Sequence, residues 1–132
     1  MAELLTGRSA RVNYQTIPGV VYTHPELASV GLSEEGAKAQ GRQVRVGKHL
    51  FSADGRAHCM DQIDGLVKVI ADAVTDRLLG VHVLGPQASH LIVEAVVAME
   101  FAGSAEDLAR TVHAHPSLSE VLKEAAWAAM GP

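Results

Sequence analysis

Apolar and polar residues alternate through the middle of this chain as they do in strands. Over its last third they recur with the longer period of helices. GVVYT (residues 19–23) is a short β-rich run closed by His24-Pro25, and ASVGL (28–32) is a second. Ser33-Glu34-Glu35 then opens a short helix that Gly41 ends, and its acidic pair suits the positive end of the helix dipole. QVRVGKHLF (43–51) alternates as a strand. GLVKVIAD (65–72) and LLGVHVLG (78–85), joined by AVTDR, read as a hairpin. Ahead of that hairpin SADGRAHCMDQID (52–64) is rich in turn formers and reads as a loop, with Asp54-Gly55 and Asp64-Gly65 as turns.

From Gln87 to Ala102 the pattern becomes helical. Leu91, Ile92, Ala95, Val96 and Met99 make one stripe, and Val93, Val97 and Phe101 fill much of the rest. A helix this apolar is buried on more than one side, so a partner is expected over one face. Gly103 ends it. SAEDLART (104–111) is a short helix with Ser104 as its cap. A last helix runs from about Ser117 to Met130, with Leu118, Val121, Leu122, Ala125 and Ala129 on its core face. At the other end, residues 1–7 form a scrap of helix and 8–18 a linker ending in TIPG. Clustered strands followed by clustered helices predict an α+β fold: an antiparallel sheet with helices packed on one side.

At 132 residues the chain fits one domain. Aromatics are only 4%, so Val, Leu, Ile, Ala and Met must build the core. The 11 basic residues are scattered and the net charge is −4, which argues against nucleic acid and against an anionic membrane surface. The single cysteine, Cys59, excludes an intramolecular disulfide, and no apolar run is long enough to span a bilayer. A cytoplasmic setting is the expectation.

HAHPSLSE (113–120) is the stretch with chemistry in it. Ser117 and Glu120 fit a capping box, with Ser as N-cap and Glu three residues on. The same Glu120 stands one turn from His115, which Pro116 pushes out of the helical region. Histidine is the side chain suited to proton transfer near neutrality, and a carboxylate on its far nitrogen would fix the tautomer. The residues alone leave both readings open. His113 alternates with His115, so in an extended segment the two point to opposite sides, which argues against a joint metal site. His58-Cys59 has no second half, and no metal ligands are assigned. Neither GxGxxG nor a Gly-Lys-Ser/Thr phosphate loop is present, and Cys59 lacks a neighbouring cysteine. Trp127 shares a face with Lys123 and Glu124 and suits a surface rim or an interface.

Four segments in this order, IPGVVYTHPELASVGLSEE, FSADGRAHCMDQIDGLVKVIAD, TDRLLGVHVLGPQASHLIVEA and HAHPSLSE, resemble the C-terminal dimerisation domain of the pyridine nucleotide-disulfide oxidoreductases. Within that family they look most like dihydrolipoamide dehydrogenase. The resemblance runs from about Tyr14 to Met130, and the last segment is the most specific. It implies a full enzyme that binds FAD and NAD, carries a redox-active disulfide, and oxidises the dihydrolipoamide of 2-oxoacid dehydrogenase complexes. His115 matches the family's active-site base and Glu120 the carboxylate that orients it. The pair would act across a homodimer, with His115 and Pro116 beside the flavin and disulfide of the other subunit. The acyltransferase component of the complex is a further implied partner.

The departures matter as much. The two cysteines of the family's disulfide and both dinucleotide-binding folds are missing from this stretch. Asp54-Gly55 replaces a pattern closer to Asn-Ser, and relatives usually continue a little past Met130. Residues 1–13 are expected to be the end of an FAD-domain helix and a linker, and 14–132 the dimerisation domain. By itself the chain is expected to hold no cofactor and to be inactive. The alternatives are a pure association or docking module, or the same domain of another disulfide reductase such as mercuric reductase.

Overall fold

The computed structural model describes residues 2–7, 9 and 11–131, without the side chain of Ala2. Parts of the expected leading linker, Arg8 and Ala10, lie outside the described residues. The elements are α1 (Ala2–Leu5), β1 (Gly19–Val21), β2 (Glu26–Gly31), α2 (Glu34–Ala39), β3 (Val44–Leu50), α3 (Gly55–Cys59), β4 (Leu66–Asp72), β5 (Leu78–Gly85), α4 (Ala88–Glu100), α5 (Ala105–Arg110) and α6 (Glu120–Met130). Every strand anticipated from alternation is present. They form one five-stranded antiparallel sheet in the order β1-β2-β5-β4-β3. The hairpin β4–β5 is central, and its turn is held by Asp72, whose Oδ1 accepts the Val74 and Thr75 N–H groups at 3.0 and 2.9 Å.

Alternation decides the two faces. Ala28 and Val30 of β2, Val67, Val69 and Ala71 of β4, and Val81 and Val83 of β5 are buried on one of them. Against it pack Ala88, Ile92 and Ala95 of α4, and Val121, Leu122, Ala125, Ala126 and Ala129 of α6. α5 adds Ala105, Leu108 and Ala109. The expected antiparallel sheet with helices on one side is therefore what the chain builds. One helix is placed differently: α2 lies on the other face, where its Glu34 meets Lys68 of β4 at 2.7 Å. Two salt-bridge partners, Lys38 at 2.7 Å and Lys68, hold the Glu34 carboxyl down at about 2.

Two segments read as irregular contain helix. In the loop 52–64, Asp54 is not a turn residue but an N-cap: its Oδ1 accepts the Ala57 N–H at 2.8 Å and starts α3. In the linker 8–18, residues Tyr14–Thr16 form a 3₁₀ turn capped by Asn13. Thr16 there donates to Glu100 of α4 at 2.6 Å, which ties the leading segment to the helix end. α4 is not covered all round in this chain. It packs on β2 and β5, while Val93, Val97 and Phe101 form an exposed apolar face, with Phe101 83% exposed.

Candidate active site

The chain leaves α5 at Thr111 and reaches α6 at Glu120 through a bent segment with little local support. Among the described residues, 112–116 make no backbone–backbone hydrogen bond. Two side-chain clusters hold this segment instead, one at each end.

At the α6 end, Glu120 serves two donors. Its Oε2 accepts the Ser117 N–H at 2.8 Å, and the carboxylate also receives His115 Nδ1 at 3.0 and 3.2 Å. Only half of the expected capping box is formed. Ser117 Oγ pairs with Ser119 Oγ at 2.9 Å, and the Glu120 N–H donates to the Ser117 carbonyl at 3.3 Å. The helix thus begins at Glu120, after a 3₁₀-type turn, rather than at Ser117. The Ser117 N–H and then His115 lower the Glu120 carboxyl below its ordinary value. The group is therefore an anion near neutrality and can only accept. That assigns the Nδ1 proton to His115, so that in the neutral ring Nε2 is the nitrogen with the lone pair.

His115 faces outward. Its side chain is 80% exposed, against 24% for Glu120, and Nε2 has no partner among the described residues. The His115–Pro116 peptide bond is cis. Pro116 and Ser117 border an open groove of about 400 Å³ shared with Arg56 of α3, Gln87 at the N-cap of α4 and Leu91 of α4. The arrangement is an imidazole whose Nδ1 proton is held by a buttressed carboxylate, with Nε2 presented to whatever covers this surface. Such a group can take a proton and hold the resulting imidazolium beside the carboxylate.

At the other end the structure brings together a pair that sequence spacing did not reveal. His113 Nε2 lies 2.6 Å from Glu94 Oε1 of α4, and His113 Nδ1 lies 2.9 Å from the Thr111 carbonyl. The His113 side chain is only 5% exposed. The expectation that His113 and His115 point to opposite sides is met: one enters the fold and the other leaves it. The available signal was Glu94 itself, a carboxylate interrupting the apolar run LIVEAVVAM, which needs a polar partner when partly covered. The remaining histidines with ring contacts bond to backbone carbonyls, His58 to Ser52 at 2.7 Å and His82 to Leu32 at 3.1 Å. Cys59 is exposed at the end of α3.

Residues 17–126 match the model of the pyridine nucleotide-disulphide oxidoreductase dimerisation domain. The chain is 53% identical to dihydrolipoyl dehydrogenase 1 of Arabidopsis thaliana mitochondria over 126 residues, covering 96% of this chain and 25% of that protein. It is 54% identical to dihydrolipoyl dehydrogenase 3 of Pseudomonas putida, covering 94% of this chain and 27% of that one. Among solved structures it superposes on LpdA from Mycobacterium tuberculosis with a TM-score of 0.86 at 28% identity, over 95% of this chain and 28% of that one. The chain spans about a quarter of the length of the relatives it matches. It belongs to the dimerisation domains of the pyridine nucleotide-disulphide oxidoreductases, of the dihydrolipoyl dehydrogenase type.

Proposed function

We propose that this domain works within a dihydrolipoyl dehydrogenase, where His115 is the proton acceptor for the dihydrolipoamide thiol at the active site of the other subunit. The observation that carries the reading is the His115–Glu120 geometry. Nδ1 is tied to the carboxylate at 3.0 Å, and Nε2 belongs to a side chain that is 80% exposed in the single chain. A base so placed has nothing to act on within its own domain. It suits a substrate and a disulfide brought to it by a second chain.

A thiol attacks only as its thiolate, which is scarce near neutrality. Nε2 takes the proton from one substrate sulfur as that sulfur attacks the disulfide of the facing subunit. The disulfide S–S bond breaks, a substrate–enzyme mixed disulfide forms, and the other enzyme sulfur leaves as thiolate. The second substrate thiol passes its proton to that thiolate and attacks the mixed disulfide, closing the lipoamide ring and releasing the remaining enzyme sulfur as thiolate. The reduced pair then holds one proton and the His115 imidazolium the other. Glu120 stabilises the imidazolium throughout without itself accepting the proton. The chemistry that FAD would supply there is two-electron oxidation of the reduced pair, with NAD as the final acceptor. His115 and Pro116 are the residues of this chain that would border that flavin.

In the full-length enzyme, His115→Gln is expected to lower dihydrolipoamide turnover by about 10²–10⁴-fold, the contribution of one positioned acid–base group. Flavin content should be unchanged. Turnover within severalfold of wild type would remove His115 from the reaction.

A further inference from the structure

The segment that carries His115 has almost no backbone support, yet a base must be held to within a fraction of an ångström of its thiol. Between Thr111 and Ser117 the chain makes no backbone–backbone hydrogen bond among the described residues. Glu120 buttresses the imidazole from the α6 side only. On the upstream side, among the described residues, the single hydrogen-bonded anchor of 112–114 is the ring of His113, two residues before His115. It is sunk to 5% exposure and bound at both nitrogens.

We infer that the His113–Glu94 pair is a positioning device for His115, one that locks the catalytic segment onto α4. The inference rests on the role proposed for His115 above. The chemistry of the pair is specific. The Thr111 carbonyl can only accept, so His113 Nδ1 carries a proton. With Nδ1 protonated, the 2.6 Å contact between Nε2 and Glu94 Oε1 requires one further proton, held on one side or the other. The contact is thus charge-assisted, or it is a carboxylic acid donating to imidazole. In the charge-assisted form the bond is stronger than an ordinary neutral one, and at 2.6 Å it is short in either form. It spans 19 residues and ties an irregular segment to a helix whose Ile92 and Ala95 sit in the core beneath the sheet. His115 then receives its orientation from α4 through His113 and from α6 through Glu120. Both ring nitrogens of the buried His113 are engaged, one of them by Glu94, so the inference makes both positioning residues and leaves the proton transfer to His115.

The proton count supplies a discriminating variant. In Glu94→Gln the amide N–H can donate to a neutral His113 Nε2, so the lock persists without the extra proton. In Glu94→Ala and His113→Phe the lock is gone. The test uses the full-length enzyme, with kcat and KM for dihydrolipoamide, flavin content and dimer state measured for each variant. NADH oxidation by an artificial electron acceptor serves as a control, because it moves no thiol proton. His113→Phe and Glu94→Ala are each expected to lower kcat about tenfold to a hundredfold, the cost of a misplacement near 1 Å. KM should change little, and flavin content and the artificial-acceptor rate should hold. The double variant should fall no further than the worse single one, and Glu94→Gln should keep kcat within about threefold.

Normal kcat in both lock-breaking variants would overturn the inference. So would losses that multiply in the double variant, or an equal loss in Glu94→Gln. If both lock-breaking variants lose flavin or the dimer, the pair is a folding contact and the positioning role is likewise refuted. His115→Gln separates the two levels. Near-normal turnover there refutes the base, whereas a dead His115→Gln with a fully active His113→Phe refutes only the lock.

Discussion

Glu120 combines two tasks that look like alternatives in the sequence. Its carboxylate caps the turn through the Ser117 N–H and orients His115 through Nδ1. Both donors favour the ionised form, so the folded-state pKa lies below the ordinary 4.5. The sign of the linkage follows. This contribution to stability is fully present above the ordinary carboxylate value and is lost as pH falls through the lower folded value. The melting-temperature gap between wild type and Glu120→Gln should therefore be open at neutral pH and close in strongly acidic buffer. A gap independent of pH would show that the charge is not used. At this scale the sequence disclosed what was close in the chain. His115 and Glu120 stand five residues apart around a proline, so their meeting was legible. His113 and Glu94 are 19 apart on different elements, and only the packing of the 111–120 segment over α4 joins them.

At the scale of elements, strands were legible because one buried face imposes strict alternation, and α6 because five positions share its core stripe. α3 was missed for a physical reason. Five residues are too few to show a period, and Asp-Gly serves an N-cap as well as a turn. Strand order is likewise absent from local pattern, since it depends on which helices cover the sheet. One close approach sets how α6 sits. At Gly47 of β3, opposite Val69 of β4, a Cβ would collide with the Ala125 carbonyl and the Ala129 N–H of α6. Arg45 of the same strand donates to the Met130 carbonyl at 3.2 Å and pairs with Asp76, fastening the C-terminal end of the helix. Gly47→Ala should push α6 off the sheet and cost about 1–3 kcal/mol, the range of an overpacked core. Urea denaturation measures this directly. An unchanged midpoint would mean that α6 rides on the strand with slack.

At the scale of the whole molecule, the apolar excess of α4 points outward. Val93 and Val97 are half exposed and Phe101 is 83% exposed, along one strip of a helix whose opposite side is in the core. In a family of dimerisation domains such a strip is the natural contact for a second copy. Val97→Asp should shift the full-length enzyme from dimer toward monomer in sedimentation equilibrium. An unaltered dimer would place the contact elsewhere. The proposal that His115 works on the other subunit belongs to this scale, and a mixed dimer tests it most directly. One subunit carries His115→Gln with its redox disulfide intact, and the other keeps His115 but lacks the redox cysteines. Each homodimer should be inactive. If the base acts across the interface, the mixed dimer assembles one complete site and regains about half of wild-type turnover. A mixed dimer as inactive as its parents would show that His115 serves its own chain, or none.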